Sequence, residues 1–227
     1  MRVLLICDDF WHPGETPIEG VKPLSGRGFD IDVITDTNGF SKDILDNYPV
    51  VILCKCDEIS SKDKTSWKTN SIQQAFVDYV NSGGGLVVIH TGLVAGEKTE
   101  ILDKLIGSKF ASHPPESPVV VQPIKPHPIV KDVEQFCEID EQYWLDFLAD
   151  DIDIFMASYT ECSSYEKNDT CNASESLPPY IAAAGYVRHE GKGRICVLTP
   201  GHSVPVWHNN QYQKVLENAL HWCANRT

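Results

Sequence analysis

A chain of 227 residues can bury one sizeable core, and no linker or composition break divides it, so one domain over 1–227 is expected. Nineteen Lys and Arg against 32 Asp and Glu give a formal net charge of −13 with no basic run, which argues against a nucleic acid or an anionic membrane as partner. No apolar stretch approaches membrane-spanning length, the amino terminus meets acid at Asp8 too early for a signal sequence, and the eight cysteines lack Cys-x-x-Cys spacing, so a cytoplasmic protein with reduced thiols is expected.

In chain order, 2–7 is an apolar run that predicts a strand buried on both faces, and it passes straight into Asp8, Asp9, Phe10, Trp11, His12 and Pro13. Residues 15–27 can form a helix, a poor one because of Pro17, Gly20 and Pro23, so it must lean on tertiary packing. Residues 29–34 alternate and predict a strand nearer the sheet edge, and 50–54 a core strand. Residues 60–69 are polar loop, and 70–81 an amphipathic helix with Ile72, Phe76, Val77 and Val80 on one side. Gly83, Gly84 and Gly85 stop that helix. Leu86 to Ile89 then form a central buried strand that ends at His90, Thr91 and Gly92.

A short helix is expected over 99–106, a strand over 119–121, and a loop that cannot be helical at Pro126, His127 and Pro128. Residues 136–143 alternate as one strand, with Glu138, Asp140 and Gln142 on one face and Ile139, Glu141 and Tyr143 on the other. Another strand covers 152–159. Residues 160–179 read as an exposed excursion in which Cys162 and Cys171 could pair under oxidation. Strands 180–189 and 194–199 form a hairpin, the second running into Pro200, Gly201 and His202, and 209–224 is a closing helix. Regular strand–helix alternation argues for a parallel sheet covered on both faces, with 2–7, 50–54, 86–90 and 194–199 parallel.

Open α/β sheets bind ligands beyond the carboxyl ends of their strands. Three strand ends therefore deliver His12, His90 and His202 to one edge, near Asp8, Asp9, Asp140 and Glu141 as acidic partners. Imidazole serves there as acid, base or metal ligand. The plainer readings are a hydrogen-bonded strand-end histidine for His90 and a solvated acidic pair for Asp140 and Glu141. His113 and His127 are more often loop residues, and His189, His208 and His221 have no strand-end context.

Gly83 to Gly92, His127 to Val133, Asp140 to Tyr143, Gly191 to Arg194 followed by Gly201 and His202, and Asn218 to Trp222 occur in an order and spacing that resemble the ThuA-like, or trehalose-utilisation, family of the class I glutamine amidotransferase-like superfamily. The likeness runs nearly from end to end, although residues 8–13 match the family's first loop only loosely and the 160–179 excursion looks particular to this chain. It implies an α/β fold, a flavodoxin-like three-layer sandwich with a mostly parallel sheet and helices on both faces, and a link to carbohydrate metabolism. The superfamily's nucleophilic cysteine would stand where His90 stands, so glutamine hydrolysis is not expected.

The leading expectation is a sugar-processing enzyme. His90 and His202 would exchange protons with substrate and Glu141 would orient a histidine or act as base. Asp9, His12, Thr91, His113, Asp140 and Tyr143 would contact the sugar, and Trp11 or Trp144 would stack on its ring, against the plainer reading of tryptophan as core packing. One alternative is a zinc-type hydrolase or isomerase, a divalent metal being the cofactor such residues allow. The other is a non-catalytic sugar-binding or interaction module. The expected partner is a small sugar or sugar derivative, with a homo-oligomer left open.

Overall fold

A computed structural model describes residues 1–160 and 181–225. Its strands are β1 (Arg2–Cys7), β2 (Asp30–Ile34), β3 (Val50–Cys54), β4 (Gly85–Ile89), β5 (Ser108–Ser112), β6 (Ser117–Pro123), β7 (Phe136–Asp140), β8 (Trp144–Phe147), β9 (Asp153–Thr160), β10 (Ile181–Glu190) and β11 (Gly193–Leu198). Its α-helices are α1 (Glu15–Ser25), α2 (Asn70–Asn81), α3 (Glu100–Ile106), α4 (Val204–His208) and α5 (Asn210–Cys223). A nine-stranded sheet runs in the order β2-β1-β3-β4-β11-β10-β9-β6-β7. From β2 to β11 neighbouring strands are parallel; from β11 to β7 they are antiparallel.

The apolar runs have the consequence expected of them, because each central strand is buried on both faces. Val3, Leu5 and Cys7 of β1, Ile52 of β3, Ile89 of β4 and Leu198 of β11 pack against α1, α4 and α5. Leu4, Ile6, Leu53, Val88 and Val197 pack on the other side against α2 and α3. The result is a three-layer α/β sandwich of the flavodoxin-like kind, and the in-register parallel strands present the carboxyl ends of β1, β3, β4 and β11 along one edge. No helix among the described residues is long and apolar enough to cross a membrane.

Several local expectations change. Pro128–Val130 is a short 3-10 helix, because Pro128 sits where a helix start needs no amide donor; His127 before it is extended as its position before proline requires. The 136–143 strand stops at Asp140, whose carboxylate turns to backbone amides after the chain leaves the sheet. A separate pair, β5 with β8, and the five-residue helix α4 are additional to the expected elements. The 161–179 part of the excursion, with Cys162 and Cys171, lies outside the described residues.

Gly92 is required by close approach, since a Cβ there would lie 2.2 Å from the Leu53 carbonyl oxygen, a main-chain atom of a buried strand. Gly92→Ala should therefore lower stability by about 2–3 kcal/mol, the usual cost of forcing atoms into a packed interior. Gly26→Ala is the matched control, because its φ is −68° and its nearest neighbour would be at 3.7 Å, so urea unfolding should move by less than about 0.5 kcal/mol. Equal effects at the two positions would contradict this packing account.

Candidate functional site

The site begins where β1 ends. Asp8, at φ +77°, turns the chain, and its carboxylate accepts the amides of Gly14 and Ser61, each at 2.9 Å. Lys55, fully buried, donates to the carbonyls of Cys7, Asp8 and Thr35 and so ties the same turn to β3 and β2. Asp9 is sealed from solvent. One of its oxygens accepts the amides of Trp11 at 3.0 Å and His12 at 2.9 Å and faces His12 Nδ1 at 3.2 Å. The other accepts the Cys56 amide at 3.1 Å and the Thr91 hydroxyl at 2.7 Å. Burial alone would raise the Asp9 pKa, but the bonds from His12, Thr91 and Cys56 outweigh it and hold the carboxyl well below the usual carboxylate range.

His90 is the first residue past β4 and has φ +45°, a left-handed conformation that costs a non-glycine residue about 1–2 kcal/mol. Its ring is fully buried and stacks on Tyr143 with centroids 3.9 Å apart. The Nδ1 lies 2.8 Å from the Thr199 carbonyl oxygen, an acceptor only, so Nδ1 carries the proton and Nε2 is bare in the neutral ring. Burial pushes this histidine down to about 4, against the opposing influence of Glu141.

Asp140 and Glu141 are neighbours with opposite assignments. The Asp140 carboxylate is buried and accepts the amides of Gly201 at 3.0 Å and His202 at 2.9 Å, tethering the chain after β11 to the end of β7. Burial raises its pKa to about 7 despite those bonds. Gly201, at φ +147°, permits the bend that this tether needs. Glu141 turns the other way. Its Oε2 lies 3.4 Å from His90 Nε2 and 3.2 Å from His202 Nδ1, and its Oε1 lies 3.7 Å from His113 Nδ1. Burial works to raise the Glu141 pKa, and His202 and His90 more than reverse it. The same carboxylate raises that of His202.

His12, His90 and His202 thus stand on one sheet edge with ring centroids 5.0, 5.2 and 5.5 Å apart, as the strand order requires. Cavities of 180 and 240 Å³ open on them, and His12, His202 and Trp11 line both. Trp11 is 65% exposed and also borders a 500 Å³ groove along residues 56–58 and 94–98. His113, a third exposed, lines the 240 Å³ cavity with Phe110 and Tyr143. Trp144, the other tryptophan considered for stacking, is 7% exposed at the head of β8 and belongs to the packing, whereas Trp11 does not. Asp9, Asp140 and Thr91, expected to meet a ligand, hydrogen-bond within the protein, to the amides of His12 and His202 and to one another in the case of Thr91 and Asp9, while Thr91 also lines the 180 Å³ cavity. A 730 Å³ groove lined by residues between Pro123 and Lys131 is larger but mostly apolar, and its titratable side chains are Lys125, His127 and Lys131, with no carboxylate among its lining residues. The sequence alone does not mark Lys55, Cys56, Phe110 and Thr199 as residues of the site. Only the lysine left a signal, a charged residue directly after the apolar run of β3.

A family model described as ThuA, trehalose utilisation, matches residues 2–223. No curated protein matches the sequence. In fold the chain is similar to a ThuA-like protein from Bacteroides uniformis, at 20% identity and TM-score 0.71, covering 98% of this chain and 91% of that one. A ThuA-like protein from Parabacteroides merdae is similar at 19% identity and TM-score 0.73, over 99% and 90% of the two chains. A cytoplasmic protein from Salmonella typhimurium is similar at 15% identity and TM-score 0.59, over 98% and 99%.

Because Asp9 alone satisfies buried donors from three strand ends, Asp9→Ala should cost about 3 kcal/mol in urea unfolding, the range for leaving buried donors unmet. Thr91→Val removes one of those donors and should cost about 1 kcal/mol. In a double-mutant cycle the two losses should fall short of additivity, since the Thr91 bond is already absent once Asp9 is gone. Strict additivity would mean that the Thr91–Asp9 bond does not form.

Proposed function

Because the chain belongs to the ThuA family, trehalose utilisation, we propose that it is a sugar-processing enzyme whose reaction centre is His12, His90, His202 and Glu141. The single observation that carries this reading is convergence: three imidazoles and a carboxylate from separate strand-end loops each bring a ligand atom within 4.8 Å of the others, beside two small cavities that His12 and His202 both line. Such a set can accept, donate or polarise at a hydroxyl or a carbonyl, which is what chemistry on a sugar demands. The cavity walls suit a polyol, with His113 and Tyr143 supplying polar contacts and Trp11 an exposed ring face. We place the protein in the cytoplasm, in keeping with the Salmonella protein of similar fold.

Glutamine hydrolysis is disfavoured by the same geometry. The left-handed elbow after β4 carries imidazole where an acyl-transfer enzyme needs a thiolate. Cys54 lies at the cavity, but burial holds its thiol far above its ordinary pKa, and the Cys7 thiol is pushed up to about 12.

Calorimetry and turnover with a panel of mono- and disaccharides test the proposal. At least one sugar should bind, and His90→Ala should lower its turnover by at least about 10²-fold, the usual contribution of a positioned proton-transfer or polarising group. Trp11→Ala should weaken binding about tenfold, equivalent to about 1.4 kcal/mol. Tight binding without turnover would favour a binding module, and unchanged affinity and turnover in both variants would remove this cavity from the function.

A further inference from the structure

We propose that His12, His90, His202 and Glu141 form a binding site for one divalent first-row transition metal, zinc being the best fit. The hydrogen bonding around His90 and Glu141 sets acceptor against acceptor. His90 Nδ1 gives its proton to the Thr199 carbonyl, so Nε2 presents a lone pair, and what it faces at 3.4 Å is a carboxylate oxygen, also an acceptor. Neither His90 Nε2 nor His202 Nδ1 has a hydrogen-bond partner, although both atoms are buried. Native structures pair such atoms, and each one left bare costs about 1–3 kcal/mol. An ion pair between His202 and Glu141 would answer for one nitrogen and leave His90 Nε2 pointing at the same oxygen. A cation held between them answers for both.

The spacing supports the same conclusion. One ligand atom from each of the four residues can be chosen so that all lie within 4.8 Å of one another. Zinc bonds nitrogen at about 2.0–2.1 Å, so neighbouring ligand atoms around a tetrahedral ion stand about 3.3 Å apart. The two carboxylate contacts, 3.4 Å to His90 and 3.2 Å to His202, bracket that separation.

The surroundings are those a metal site needs. Metal-ligating histidines give their second ring nitrogen to a carboxylate or a carbonyl, which fixes the tautomer and aims the ligand nitrogen. His12 Nδ1 faces Asp9, leaving its Nε2 as ligand, and His90 Nδ1 faces Thr199. His113 lies 3.7 Å from the outer oxygen of Glu141, within reach to steady it. Three imidazoles and one carboxylate suit zinc, cobalt, iron or manganese better than magnesium or calcium, which prefer all-oxygen shells. A second trio, Asp9, Cys56 and Glu58, also lies within 4.8 Å, but both Asp9 oxygens are already engaged and burial keeps the Cys56 thiol protonated. In the catalytic role this inference rests on the reading of the cluster as the reaction centre; metal binding itself rests on the geometry alone.

The experiment uses the full chain, purified without a histidine tag, stripped with a chelator and dialysed. Titration with zinc chloride should give about one equivalent bound with a sub-micromolar Kd and a raised melting temperature, and cobalt chloride should give the intense visible bands of a four-coordinate ion with nitrogen and oxygen ligands. Glu141→Gln and His90→Ala, each checked for native circular dichroism, should weaken zinc binding at least about 100-fold, more than second-shell changes usually cause. If either variant does not fold, the cobalt spectrum of the unmodified chain decides. Uptake below about 0.2 equivalents of zinc, cobalt and manganese, or uptake unchanged in folded variants, would overturn the inference. Metal-stripped protein that still turns over a sugar would overturn the metal's catalytic role and leave the sugar reading standing. Stoichiometric zinc in a protein that binds no sugar would do the reverse.

Discussion

The buried carboxylate of Asp9 is the interaction on which the rest of the site depends. Parallel strands end side by side, but nothing in a sheet dictates how the loops beyond them pack, and buried loop amides must find acceptors. Asp9 supplies them from one point, taking amides from its own loop and from Cys56 beyond β3, and the hydroxyl of Thr91 beyond β4. The same oxygen that orders residues 11 and 12 faces His12. A single ionised group therefore fixes both the loop and the imidazole it carries, which explains why Asp9 stays charged where burial would favour the neutral form.

A comparable division of labour holds between Asp140 and Glu141. Side chains alternate along a strand, so adjacent acids at a strand end are sent in opposite directions. Asp140 turns to the backbone of Gly201 and His202 and builds the loop, while Glu141 turns to the histidines and shares their cavity. His202 is thus held by one acid through its backbone and faces the other through its ring. This arrangement, with the strained backbone of His90, places energy cost where the chemistry is proposed rather than in the core.

Much of this was legible in the residues. Uninterrupted apolar runs announce strands buried on both faces, and once 2–7, 50–54, 86–90 and 194–199 are parallel, the histidines after three of them must share an edge. Side-chain destinations were less legible. Asp9, Asp140 and Thr91 carry groups that could bind a sugar or backbone amides equally well, and the choice depends on loops that meet only in three dimensions. The pair β5 and β8 escaped because Ser108 to Ser112 is half-buried and lacks an apolar run, and α4 because five residues with a proline among them carry no helical period. Trp11, after Phe10, and Trp144, between Tyr143 and Leu145, are the same residue type beside other large side chains, and only packing separates the exposed ring from the buried one.

The account's central claim is that ligand chemistry takes place over His12, His90, His202 and Glu141 rather than elsewhere on the molecule. A crystal structure of the full chain soaked with a bound sugar from the panel tests this most directly. The account predicts ordered sugar density against the Trp11 ring with a hydroxyl directed at the histidines and Glu141. Sugar ordered only in the 730 Å³ groove between Pro123 and Lys131, with the histidine cavity filled by solvent, would contradict it.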